Sequence, residues 1–243
     1  MEHTLLTARL TRSVILSEKT KHLEFGLEEV SSFDFVAGQF ISVREPRGDK
    51  FVTRAYSIAS PPRGNNTLDL CLNRVEEGFM SNFLCDLKAG DVASFHGPHG
   101  LFALKPEVQD VILVATGTGV APFRSMVQHL FGEDGSGEQR HGGRQVWLVY
   151  GTRYPEDVYY QKEFEQIAAK QPNFHYIATL SRAKENWTGL RGYVQEHVRR
   201  IVGERKDMHV YICGLNEMVS SVRNLLIEEC GWEKKRVIYE RYD

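Results

Sequence analysis

Arg54, Ala55, Tyr56 and Ser57 bring a guanidinium, a phenol and a hydroxyl together inside one β-prone run. Period-two alternation puts Arg54 and Tyr56 on one face of such a strand and Ser57 on the other. A flat phenol ring suits stacking on a planar heterocycle, and a guanidinium fork suits phosphate. Further along, "EGFMSNFLCDLKAG" sets Gly78 and Ser81 ahead of Phe83, Leu84 and Leu87, a helix start with a glycine and a hydroxyl. Its free N–H groups favour an anion, although Ser81 taken alone reads as an ordinary helix cap. Together the two stretches describe a pocket for a flat ring system carrying a diphosphate.

A second group lies downstream. "VILVATGTGVAPF" (111–123) reads as an apolar strand, a glycine-rich turn and a helix with Pro122 in its first turn. Glycine lets backbone approach a pyrophosphate closely, but the run is neither G-x-G-x-x-G nor a Walker A loop, and any βα turn favours glycine. Neighbouring strand ends add weight. Arg153 follows one strand in "GTRYPED", Ser181 and Arg182 follow another in "SRAK", and Arg191 comes soon after in "GLRGY". Ligands of open α/β sheets bind beyond the carboxyl ends of strands, and three guanidinium groups with a hydroxyl there match a dianionic phosphate. Solvated surface charge is the competing account. "YICGLNEM" ends a further strand on Cys213-Gly214, where the cysteine is either a small buried hydrophobe or a wall of a reaction pocket.

Two kinds of scaffold must hold these groups. Up to about residue 105 apolar residues mostly alternate, as in "TLDLCLNRV", and "HLEFGL", "GQFISV" and "DVASF" read as further short strands between glycine- and proline-rich turns. With one helical stretch near 80–88, this predicts a small antiparallel β-barrel over residues 1–105. Over 106–243 strand and helix alternate. "VILVA", "QVWLVY", "FHYIATL", "HVYIC" and "RVIYE" are the strands, and Phe123, Met126, Val127 and Leu130 form one helix face. A five-stranded parallel sheet is expected there, with the glycine-rich 132–143 as a surface loop.

The whole chain narrows the function classes. Of 243 residues 42% are hydrophobic and 26% charged, the balance of a globular protein. A formal net charge of −2 supplies no overall attraction to nucleic acid or an anionic membrane. Cys71, Cys85, Cys213 and Cys230 include no CxxC pair and fit neither a zinc site nor a plant-type iron–sulfur cluster, so no metal is expected. Scattered cysteines suit a reducing cytosol. No signal-peptide pattern opens the chain, and no stretch reaches the roughly 18 apolar residues of a membrane helix. A soluble cytoplasmic protein is expected.

These motifs resemble, in order and from "FVAGQF" (35–40) onward, those of the ferredoxin–NADP⁺ reductase family of flavoproteins. "RAYS" is similar to that family's flavin motif R-x-Y-S/T, "GFMSNFL" to its pyrophosphate motif G-x-x-S-x-x-L, and "GTGVAP" to its dinucleotide turn. "ICG" and the terminal "YERYD" match its fourth-strand motif and its E-x-aromatic ending. The resemblance implies an FAD-binding barrel followed by an NADP(H)-binding α/β domain. Arg54 would contact the FAD diphosphate, Tyr56 would stack on the isoalloxazine and Ser57 would bond near its N5, with Ala55, Asn73 and Val75 also bordering the cofactor. Gly78, Phe79, Met80 and Ser81 would hold the pyrophosphate. Thr118, Gly119 and Gly214 would lie along the nicotinamide half, Arg153, Ser181, Arg182 and Arg191 would bind the 2′-phosphate, and Ser57, Cys213 and Glu240 would serve the reaction itself. Tyr242 would cover the flavin face, here with Asp243 after it where relatives end on the aromatic.

The expected activity is electron transfer between NADPH and a small carrier, ferredoxin or flavodoxin, by a monomeric enzyme. An NADH-dependent reductase component of an oxygenase is a rival within enzymes, and Arg182 with Arg191 separates the two. A flavin-binding regulatory or interaction subunit is a rival of another class, against which the intact Cys213-Gly214 and Glu240 ends argue.

Overall fold

The computed structural model describes residues 5–132 and 140–242. Asp243 and most of the 132–143 loop lie outside that range. Two compact units emerge, Met1–Leu104 with Arg124–His129, and Lys105–Phe123 with Leu130–Asp243.

The first unit holds β1 (Leu6–Ser17), β2 (Thr20–Leu27), β3 (Phe40–Arg47), β4 (Lys50–Ser57), β5 (Thr67–Asn73), α1 (Phe79–Asp86) and β6 (Val92–His99). The six strands are antiparallel in the order β4-β3-β6-β1-β2-β5, and a bridge between Ile58 and Leu70 joins the two edges into a barrel. Closure removes open edges that would otherwise pair with other chains. Alternation sets the interior. Leu23, Phe25 and Leu27 on β2, Ile41 and Val43 on β3, and Leu68, Leu70 and Leu72 on β5 are all buried in one cluster. Met80, Leu84 and Cys85 of α1 join it, so burial of that helix's apolar face fixes where its amino end points. Each fully buried leucine stabilises by roughly 1.5–3 kcal/mol. The helix and five of the six strands stand where the pattern places them. β1 does not follow from the pattern, because register shifts at Leu10/Arg12 and Ile15/Ser17 break its alternation.

The second unit contains β7 (Val111–Thr116), α2 (Ala121–Phe131), β8 (Val146–Thr152), α3 (Gln161–Lys170), β9 (Phe174–Leu180), β10 (Leu190–Arg191), α4 (Val194–Val202), β11 (His209–Leu215), α5 (Asn216–Asn224) and β12 (Val237–Tyr242), with the middle of α2 counted in the first unit. Its strands are parallel in the order β10-β9-β8-β7-β11-β12. The five expected strands are β7, β8, β9, β11 and β12. A sixth, β10, is two residues long and sits on the β9 edge, too short to leave a sequence pattern. Val111 to Ala115 are buried throughout, as a central parallel strand demands. Phe123, Met126, Val127 and Leu130 are buried as one face of α2.

Candidate functional site

The barrel's contribution begins on β4. Arg54 lies opposite Val43 and Tyr56 opposite Ile41, both core residues of β3, while Ser57 lies opposite Phe40. Arg54 and Tyr56 therefore share the face predicted for them. The Tyr56 ring packs half-buried against the barrel core, and burial first, then nearby Cys85, pushes its phenol up to about 12 against a small lowering by Arg54. It is neutral at any physiological pH. Arg54 is exposed and spends one donor on Thr53 O at 2.9 Å, leaving most of its fork to face outward. Ala55 is exposed and Ser57 is buried. Behind this run the chain is pinned to β5. Ala59 N–H donates to Asp69 O at 2.8 Å, and Asp69 N–H donates to Ser60 Oγ at 3.0 Å.

The α1 start has no side-chain cap. Ser81 is not the N-cap that its sequence position suggests. Its hydroxyl reaches back, donating to Gly78 O and accepting from Val75 N–H, each at 3.1 Å. That leaves the first-turn N–H groups, which have no intrahelical acceptor, to an outside ligand. Gly78 must be glycine, because a Cβ there would lie 2.6 Å from Ser81 Oγ and 2.9 Å from Val75 Cβ. Two residues absent from the sequence reading shape this turn. Asn82 Nδ2 donates to Val75 O and Gly78 O at 2.8 Å each, and Arg74 donates to Asn82 Oδ1 at 2.7 Å while pairing with Asp86. Their signal was the polar pair Asn73-Arg74 before the glycine and an asparagine at the fourth residue after it. Asn73 has its side-chain oxygen engaged by Thr20 Oγ1, and Val75 is exposed at the rim. An uncapped helix start behind an obligatory glycine, packed on the Tyr56 strand, fits a ring system bearing a diphosphate.

In the second unit the turn after β7 and the end of β11 press together. A Cβ on Gly119 would lie 2.3 Å from Cys213 O, and one on Gly214, whose φ is +144°, would lie 2.3 Å from Thr116 Oγ1. Leu215 N–H donates to that same Thr116 Oγ1 at 3.3 Å. Residues Gly117–Val120 make a single 3₁₀ turn, braced by Tyr150, whose hydroxyl donates to Gly117 O at 3.0 Å. Thr118 is half-buried within it. Tyr150 is another residue the sequence reading passed over, hidden inside an apolar strand.

Cys213 and Glu240 are register partners on β11 and β12. Burial, then the Glu240 charge, pushes the Cys213 thiol well above its ordinary range, against a hydrogen bond from Tyr242. Cys213 is a neutral thiol and no thiolate nucleophile. Burial lifts the Glu240 carboxyl to about 7, so it changes protonation near neutral pH. Tyr242, half-buried, ends β12 opposite Leu215.

The strand ends bring Arg153, Ser181 and Arg182 together. Ser181 N–H donates to Thr152 O at 2.9 Å and Arg182 N–H to Arg153 O at 3.1 Å, so the ladder runs on past β8 and β9. Both arginines are exposed. Arg191 follows on β10. Its guanidinium turns into the preceding loop and donates to Ala183 O, Lys184 O, Glu185 O and Trp187 O at 2.8–3.1 Å. Beyond it Tyr193 is 61% exposed, an aromatic beside the phosphate-type cluster that the sequence reading also missed.

Comparison with known proteins agrees with these two halves. The oxidoreductase FAD-binding domain family matches residues 7–104, and the oxidoreductase NAD-binding domain family matches residues 113–224. The chain is 41% identical to ferredoxin–NADP reductase B of Sorangium cellulosum, covering 97% of both chains. It is 32% identical to the ferredoxin–NADP reductase of Picosynechococcus over 90% of this chain, and spans 62% of that protein's length. It is 31% identical to the 2-halobenzoate 1,2-dioxygenase electron transfer component of Burkholderia cepacia over 92% of this chain and 64% of that one. Among solved structures, the Amycolatopsis cytochrome P450 reductase GcoB superposes with a TM-score of 0.84 at 26% identity, covering 99% of this chain and 71% of that one. The Neisseria gonorrhoeae ferredoxin NADP⁺ reductase with bound FAD and NADP shares the fold, with a TM-score of 0.80 at 22% identity over 99% of each chain.

Proposed function

Because the chain belongs to the ferredoxin–NADP reductase family of FAD- and NAD(P)-binding oxidoreductases, we propose that it carries electrons between NADPH and a small one-electron carrier, ferredoxin or flavodoxin. The observation that carries this reading is the uncapped α1 start behind Gly78, set against the strand of Arg54, Tyr56 and Ser57. FAD, when bound, supplies the exchange between an electron pair and single electrons.

The chain's own side chains do the rest. Tyr56, a neutral half-buried ring, is a flat platform that adds no charge. Arg54 and the first-turn N–H groups of Phe79, Met80 and Ser81 hold the diphosphate, with Asn73 and Val75 at the margin. Thr118, Gly119 and Gly214 leave backbone and little side chain along the nucleotide, and Cys213 adds a small neutral wall. Ser57 supplies a buried hydroxyl, and Glu240 takes up or releases a proton near pH 7. Arg153, Ser181 and Arg182 receive the 2′-phosphate. We place the enzyme in the cytoplasm as a monomer. Its four cysteines, none in a disulfide, support a reducing compartment.

Anaerobic NADPH is expected to bleach a yellow purified protein, and a protein that is colourless and takes up no FAD overturns the reading. Ser57→Ala and Glu240→Ala are expected to slow that bleaching on the order of a hundredfold while FAD stays bound. Wild-type rates in both variants by stopped-flow absorbance remove the two residues from the reaction. A second reading, an NADH-dependent reductase component of an oxygenase, draws on the Arg191 head being committed elsewhere and on the dioxygenase component among the relatives. The ratio of kcat/KM for NADPH and NADH decides between them.

A further inference from the structure

Between β9 and β10 the chain makes a loop whose residues are nearly all exposed, with Ala183 and Trp187 half-buried. No apolar core organises it. One guanidinium does. Arg191 Nη1 donates to Ala183 O at 3.1 Å, and Nη2 donates to Lys184 O at 2.8 Å, Glu185 O at 3.1 Å and Trp187 O at 2.8 Å. Trp187 completes the arrangement. Its Nε1–H donates to Leu190 O at 2.9 Å, its backbone N–H donates to Lys184 O at 3.0 Å, and its ring occupies space that a Cβ on Gly189 would enter at 2.4 Å. Pairing of Leu190 and Arg191 with Thr179 and Leu180, and of Gly192 N–H with Leu180 O at 3.1 Å, anchors the base.

Resting on the reading of this loop as the ribose-phosphate end of the nucleotide site, we infer that Arg191 is a positioning residue and not a phosphate ligand. It frames residues 183–187 from inside, and the loop so framed holds Ser181 and Arg182 beside Arg153, ready for the 2′-phosphate. The chemistry favours arginine for this task. A planar fork with five donors reaches several carbonyl oxygens at once, whereas an ammonium is a compact point charge. Lysine at 191 keeps the charge and loses the frame.

The test uses the full FAD-loaded chain as wild type, Arg191→Ala, Arg191→Lys and, as a phosphate-ligand control, Arg182→Ala. Amide hydrogen exchange over 183–189 is measured without nucleotide, and kcat and KM are measured for NADPH and NADH. Both Arg191 variants are expected to speed exchange in that segment, while Arg182→Ala leaves it unchanged. KM for NADPH is expected to rise on the order of tenfold in both, the scale of one charge-assisted hydrogen bond, with kcat unchanged. Unchanged exchange in Arg191→Ala overturns the proposal. So does Arg191→Lys keeping wild-type KM for NADPH, since charge alone then suffices. Should the wild type favour NADH, the 2′-phosphate assignment fails separately. Exchange over 183–189 then decides the frame by itself, and unchanged exchange in Arg191→Ala still overturns it.

Discussion

Glu240 is the residue whose environment makes the sharpest solution prediction. Its carboxyl titrates near 7 in the folded chain against an ordinary 4.5, because burial disfavours the charge. The folded state therefore binds the proton more tightly than the unfolded one. Its contribution to stability is intact below about pH 4.5 and is lost as pH rises through about 7. Glu240→Gln removes the titration, so its Tm is expected to gain on wild type between about pH 5 and pH 8, as thermal unfolding across that range reads out. Gly214 gives a backbone prediction. Gly214→Ala combines a φ of +144° with a Cβ 2.3 Å from Thr116 Oγ1, and is expected to cost about 2 kcal/mol or more by urea unfolding. Gly214 and its counterpart Gly119 were legible as types in "ICG" and "GTGVAP". What the sequence could not show is the reason: two strand ends distant in the chain meet backbone to backbone.

Elements show the same division between pattern and tertiary cause. The α1 helix was readable from Phe83, Leu84 and Leu87, but its missing cap was not, since a serine near a helix start normally signals capping. Here Asn82, with Ser81, works on the preceding turn and leaves the N–H groups uncovered. Asn82→Ala removes three bonds that shape this turn and is expected to weaken FAD on the order of tenfold, as fluorescence titration of the apoprotein would show. β1 escaped the pattern because a bulge shifts register mid-strand, and β10 because two residues carry no period. Arg191 was read by type as a phosphate ligand, and only its folded neighbours reveal carbonyl oxygens as its partners.

At the scale of the whole molecule, distant pieces of chain make the units. The first unit takes in Arg124–His129, and there Arg124 donates to Ala59 O at 3.0 Å and to the buried Asp69 carboxylate at 3.4 Å. Arg63 completes the cluster with two bonds to Asp69 at 3.0 and 2.9 Å. A carboxylate facing two guanidinium groups beside the barrel-closing bridge cannot be deleted cheaply. Asp69→Ala is expected to lower unfolding free energy by about 3 kcal/mol in denaturant titration, since it strands buried positive charge. No local pattern announced that cluster, because Arg124 joins Arg63 and Asp69 from 55 residues beyond Asp69.

The strand order of the second unit carries a last consequence. The chain lays down β7 first, winds outward to β10, then jumps back across β7 to add β11 and β12. Winding in that way reverses direction at β7, so the connections leaving β7 and β11 diverge to opposite faces and open a cleft at their roots. Gly119 and Gly214 stand at that fork. The topology itself, before any side chain is chosen, thus reserves a berth for a dinucleotide, and the glycines keep it from silting up.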